Sequence, residues 1–195
     1  MKKFFNLLSG AAVAACLLFG TSAMAQAMSS SDFSASKTRI KTEYKADKKG
    51  CASQAGNAKD ICVAEAKGKE AVALAELDNS YKPTLKTQYK VSVAKGEAAY
   101  GVAKQKCDDL SRNPKGVCVK EAKAALTTAK ADATVQMKTS ATNATASSDN
   151  KEVRADATAD KRAADLKVAE EKCDALASTA KDDCMAAAKA KFGKL

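Results

Sequence analysis

Six of the seven cysteines fall into three pairs, Cys51 and Cys62, Cys107 and Cys118, Cys173 and Cys184, each with ten residues between its members. The segments they bound, CASQAGNAKDIC, CDDLSRNPKGVC and CDALASTAKDDC, align without a gap. A spacing that recurs in this way marks a repeat architecture, so the chain reads as three copies of one unit with a cysteine pair in each. Six cysteines allow many connectivities. Pairing within each unit is the economical choice.

Within the aligned segments the seventh position is Asn57, Asn113 and Thr179, residue types that cap helix N-termini. Pro114 follows at the eighth position of the second unit, where a first-turn proline loses no hydrogen bond. Asp60 and Asp182 stand three residues past the expected caps and suit the positive end of a helix. The first cysteine of each pair is therefore expected near the end of one helix and the second in the second turn of the next. Small residues near the turn (Ala52, Ala55, Ala175, Ala177) would let the two backbones converge. The flanks repeat as well. Tyr44, Tyr100 and Leu166 stand seven residues before the first cysteine, and Ala66, Ala122 and Ala188 four residues after the second. Lys67, Lys123 and Lys189 come one position later, on the polar side. In the third unit the stripe Ala155, Ala159, Arg162, Leu166, Ala169 keeps helical spacing and is interrupted only by Arg162. Ala dominates the 46% hydrophobic content and aromatics are only 5%, so each face buries little. The expectation is an all-α chain of three disulfide-clamped αα-hairpins, about six helices, packed as a bundle or strung out as an elongated rod, with an oligomer as a further option.

The ends of the units follow from composition. Met1-Lys2-Lys3, the apolar stretch Phe4 to Phe19 and Ala23-Met24-Ala25 read as a secretory signal peptide over residues 1–25, cut before Gln26. Removing Lys2 and Lys3 takes the formal charge from +10 to +8. No later run is long and apolar enough to span a bilayer. Hairpin 1 is assigned to residues 26–80. Tyr81-Lys82-Pro83 breaks the chain, since a residue before proline avoids helical geometry. Hairpin 2 covers 81–138, the Ser/Thr/Asn-rich stretch 139–149 reads as a linker, and hairpin 3 covers 150–195.

The third unit carries the pattern KCDxLxxxAKxxCxxxAK almost throughout, in Lys172-Cys173-Asp174-Ala175-Leu176, Ala180-Lys181 and Cys184. With Tyr81-Lys82-Pro83 leading into Tyr89 and Val93-Ala94-Lys95, this resembles a family of small secreted bacterial Ala/Lys-rich proteins with C-x10-C repeats, many labelled TolA-like or cell envelope biogenesis. The resemblance covers the whole chain after the signal segment. It implies a role in the cell envelope and supplies no catalytic residue. The second unit departs from the pattern at Ser111-Arg112-Asn113-Pro114, which alters the turn and keeps both cysteines.

The chemistry open to the chain is limited. It has no histidine, so a Ser-His or Cys-His nucleophile pair and a His metal ligand are excluded. A zinc site would need thiolates from two hairpins, because one offers only two, and the short C-x-x-C chelate is absent. Redox-active thiols favour that same short spacing. Structural disulfides are the stronger reading, and no cofactor or metal is expected. Asp108-Asp109 and Asp182-Asp183 lie at turns and read as helix-end charges. Lys82, Lys86 and Lys90 are spaced i, i+4, i+8 and form a candidate anion-binding surface. The expected function is a non-enzymatic periplasmic or secreted repeat protein with a structural or interaction role in the cell envelope. The partner would be an anionic envelope component or an envelope protein. The alternatives are a cationic binding module for lipopolysaccharide or anionic lipid, and a stress-protective periplasmic chaperone. Nucleic acid is not an expected partner, since the signal directs the chain away from DNA and stacking aromatics are scarce.

Overall fold

Ala, Lys and Glu are strong helix formers, and in the computed structural model the described residues form six helices. It describes residues 28–141 and 147–193. The expected signal segment, residues 1–25, and the centre of the Ser/Thr-rich stretch lie outside these. Helices α1 (Ser30–Gly50), α2 (Gly56–Tyr81), α3 (Leu85–Cys107), α4 (Arg112–Ala141), α5 (Ser147–Cys173) and α6 (Ser178–Phe192) follow one another in chain order. A short 3-10 turn, Cys51–Ser53, extends the end of α1. Disulfides join Cys51 to Cys62, Cys107 to Cys118 and Cys173 to Cys184, each with Cα atoms 5.6 Å apart. Each hairpin is thus clamped beside its turn.

Among the described residues, each helix touches only the helix before it and the helix after it. A closed bundle would bring α1 against α4 or α6, and it does not. The architecture is a serial array of antiparallel helices. The three clamped turns lie at one end of the array, and the connections between hairpins lie at the other.

The core along this array is thin. Its buried apolar residues are Ile40, Leu77, seven alanines and the first cysteine of each pair. Ala66, Ala122 and Ala188, the matched positions one turn past the second cysteine, are all buried, while Lys67, Lys123 and Lys189 beside them are exposed. The turn alanines Ala52, Ala55, Ala175 and Ala177 are exposed, so the small residues that let the helices close up are those one turn further in. Alanine and glycine allow helices to approach below the usual spacing of about 8–10 Å. A Cβ placed on Gly68 would lie 2.8 Å from Ala98 Cβ, and one on Gly96 would lie 2.8 Å from Ala129 Cβ. The first contact joins two hairpins and the second lies within one, so the boundary between hairpins is packed and not a flexible tether.

Local signals explain the connections. Lys82 is extended ahead of Pro83 (φ −140°, ψ 82°), which ends α2. Thr84 then caps α3: its hydroxyl accepts from Thr87 N–H at 3.1 Å, and Thr87 Oγ1 accepts from Thr84 N–H at 2.8 Å. At the far connection α4 continues through Ala141 and α5 begins at Ser147. Both ends of the stretch 139–149 are therefore helical turns and not linker. The Thr139 hydroxyl, donating to Val135 O at 2.7 Å, is absorbed by the helix instead of ending it. Arg162, the interruption in the α5 stripe, donates from Nη2 to Lys191 O at 3.2 Å. It supplies a cationic donor to a carbonyl at the C-terminal end of α6, where the helix leaves its last acceptors without partners.

Candidate functional site

Chemistry-bearing side chains gather in two places: the row of clamped turns and one face of the central hairpin.

The turns share a backbone path. The carbonyl of the first cysteine accepts from the residue three places on, in Gln54 N–H (3.1 Å), Leu110 N–H (3.0 Å) and Leu176 N–H (2.9 Å). Two residues later the chain takes a left-handed step at Gly56 (φ 55°), Arg112 (φ 53°) and Ser178 (φ 53°), the sixth position of each aligned segment. That step starts the second helix two residues earlier than the sequence suggests. The caps of α2 and α6 are Ala55 and Ala177, both extended and without a side-chain bond. Asn57, Asn113 and Thr179 are consequently inside their helices and cap nothing, and Asp60 and Asp182 fall beyond the first turn. Pro114 is the third residue of α4, still among the N–H groups that lack a helical partner.

Freed from capping, the asparagines join hairpins. Asn57 Nδ2 donates to Gln105 O at 2.8 Å, and Asn113 Nδ2 donates to Glu171 O at 2.7 Å. Each acceptor lies two residues before the first cysteine of the next unit. Asparagine can donate across this gap, and the third unit carries Thr179 at the same place. Residue type alone reads as an N-cap; the clue to the other role is that asparagine stands in the two units that are followed by a further described hairpin. Two turns add matched ion pairs, Lys115 to Asp108 and Lys181 to Asp174, both at 2.9 Å. The hydrogen bond that Lys181 donates to Asp174 raises Lys181 above its ordinary 10.5. In the first turn Ala52 replaces the aspartate and the pair is missing.

The expected surface Lys82, Lys86, Lys90 is only partly a helix face. Pro83 separates Lys82 from α3, so Lys86 and Lys90 alone share the helical register. All three are exposed and carry no ion pair among the described residues. Lys104 continues their stripe fourteen residues past Lys90, close to four helical turns on. Charge is unevenly shared between hairpins. Residues 82–141 hold twelve Lys/Arg against five Asp/Glu, a net +7. Residues 28–81 hold nine against eight, and residues 147–193 nine against ten.

The two faces of the array also differ. Residues two apart on a helix point about 200° apart, which separates Lys67 from Lys69, Glu97 from Lys95, Lys123 from Glu121 and Lys130 from Asp132. On one face, charges are cancelled between neighbouring helices: Lys69 to Asp47 at 2.9 Å, Lys95 to Glu76 at 2.8 Å, Lys172 to Glu121 at 2.7 Å, and Lys161 to Asp132. The hydrogen bond that Lys69 donates to Asp47 raises Lys69 above 10.5. On the other face the described residues make two cross-helix pairs, Lys130 to Glu97 at 2.7 Å and Lys120, in the α4/α5 groove, to Glu171 at 3.9 Å. That face is furrowed by shallow, open grooves along the α2/α3 and α4/α5 seams. Among the described residues no group of three or more Cys, Asp or Glu is placed to hold a metal ion, and no helix is long and apolar enough to cross a membrane. No family model, curated protein or solved structure matches the chain.

Proposed function

We propose that the protein is an exported, non-enzymatic repeat scaffold that works in the cell envelope by presenting a surface. The observation that carries this reading is the threefold repetition of one clamped turn, with neighbouring turns joined by Asn57 and Asn113. Such a design fixes the relative placement of side chains along an extended array, which is what an interaction surface needs and what a single reaction centre does not. Disulfides that close each hairpin suit an oxidising compartment, the destination the N-terminal segment specifies.

The test has two arms. Intact mass of the protein purified from the envelope, alkylated before reduction, should match cleavage before Gln26 with six hydrogens fewer and no alkyl groups. Saturable binding to a purified envelope fraction should be lost when the clamps are reduced. Turnover of an envelope substrate that disappears on changing one carboxylate, such as Asp109→Asn, would overturn the reading.

A second reading is favoured by the +7 of residues 82–141: a cationic module for anionic envelope polymers. It expects binding that weakens steeply with salt.

A further inference from the structure

We infer that the face of the central hairpin bearing Lys86, Lys90, Lys104, Lys123 and Lys130 is a track for an extended, linear polyanion laid along α3 and α4. The inference rests on the second reading above and makes it specific.

Lys86, Lys90, Glu97 and Lys104 are separated by four, seven and seven residues, so they fall within about 40° of one another around α3. From Lys86 to Lys104 the stripe rises about 27 Å. The one carboxylate in it, Glu97, is neutralised by Lys130 of α4. Glu97 lines the α2/α3 groove with Lys67, and Lys130 lines the α4/α5 groove with Thr127. Thr127, Lys123 and Lys167 line the next groove along, so these groups share one face. Lys86, Lys90, Lys104 and Lys123 are exposed and carry no ion pair among the described residues. The reverse face offers no comparable field, because Lys95 there is bonded to Glu76 and the α4 carboxylates Glu121 and Asp132 are bonded to α5 lysines.

The borders of the strip choose the partner. Asp60 lies on the α2 side beside Lys67, and Asp156 and Asp160 on the α5 side with Lys167. A broad anionic bilayer pressed against this face would meet those carboxylates as well as the lysines. A single chain of negative groups running along α3 and α4 meets lysines and passes between the acidic borders. None of the three grooves is lined by an aromatic ring, so nothing there stacks on a base or a sugar. Recognition is by lysine point charges, which impose no bidentate geometry and read the spacing of negative charge along the chain.

The experiment uses the full processed chain with inorganic polyphosphate as probe, titrated at several salt concentrations. Lys86→Gln, Lys90→Gln and Lys104→Gln together should weaken binding at least tenfold. They should also flatten the log–log salt dependence by about 2, the value for three lost contacts to a single-stranded polyanion. A control removes equal charge from exposed lysines elsewhere, Lys49→Gln, Lys106→Gln and Lys189→Gln, and should change affinity by less than about twofold. Unchanged helicity and the absence of free thiols in both variants exclude misfolding as the cause. Equal weakening by both triple variants, absence of salt-sensitive binding in the parent at low salt, or tighter binding to anionic phospholipid vesicles than to polyphosphate would each overturn the inference. If envelope binding persists in the stripe variant, the track fails while the scaffold reading stands.

Discussion

The first turn and the second follow the same backbone path with different residues. At the left-handed step the first has Gly56 and the second has Arg112. Glycine occupies that region without penalty, whereas a residue with a Cβ gives up about 1–2 kcal/mol. The second turn has Asp108 bonded to Lys115, and the first has Ala52 in place of the aspartate. Arg112 has no local preference for its conformation, so the path is imposed from outside the turn: by the clamp, by the helices on either side and by the asparagine reaching to the next hairpin. Ser178 in the third turn makes the same point.

That comparison can be broken in several ways. Replacing both cysteines of the second clamp by alanine should lower stability by about 3 kcal/mol. The first clamp should match it, because each closes a sequence separation of 11. Denaturant melts that separate the two pairs widely would show that the turn residues, and not loop closure, carry the stabilisation. Next in size is the bond between hairpins. Asn113→Ala removes one of two donors from the Glu171 carbonyl, which keeps the Asp174 N–H at 3.3 Å, and should cost about 1 kcal/mol, as should Asn57→Ala, whose acceptor Gln105 O keeps the Asp108 N–H at 2.9 Å. Thr179→Ala should lie within about 0.5 kcal/mol of the parent. A large loss at Thr179 would mean the position supports its own helix and not a neighbour.

Arg112→Gly should stabilise by about 1 kcal/mol and Gly56→Ala should destabilise by a similar amount, a reversal of sign that thermal melting can read directly. The smallest effect belongs to the ion pair of the third turn. Asp174 holds Lys181 above its ordinary 10.5, so the contribution is fully present below that value and fades as pH rises through the raised one. Asp174→Asn should therefore narrow the gap in melting temperature between about pH 8 and about pH 11. A gap unchanged by the substitution would leave the pair without any role in folding.

The hairpins and clamps were legible because they depend on spacing: two cysteines ten residues apart, flanked by helix-forming sequence, admit few geometries. The break at Pro83 was legible for the same local reason. The asparagines were not, because a donor within reach of its own helix and a donor aimed at a carbonyl 48 residues away look alike in a string of letters. The left-handed step was hidden wherever it is not made by glycine. Arg162 looked like a flaw in an apolar stripe because its acceptor, Lys191 O, belongs to another helix. The basic strip was half visible at Lys86 and Lys90. Lys104 joins it only when the stripe is followed along the whole of α3, and the acidic borders emerge only when neighbouring helices are placed beside it.

The clamps also bear on how the chain matures. Each native partner lies only 11 residues from its mate, and the next cysteine after Cys62 is Cys107. A chain that emerges from its N-terminus presents the two thiols of one hairpin well before those of the next hairpin appear. Oxidation in order of appearance gives the native connectivity without shuffling. The repeat spacing therefore acts as a timetable, and refolding a fully reduced chain, where the thiols of all three units are exposed at once, is where wrong pairings should first be seen.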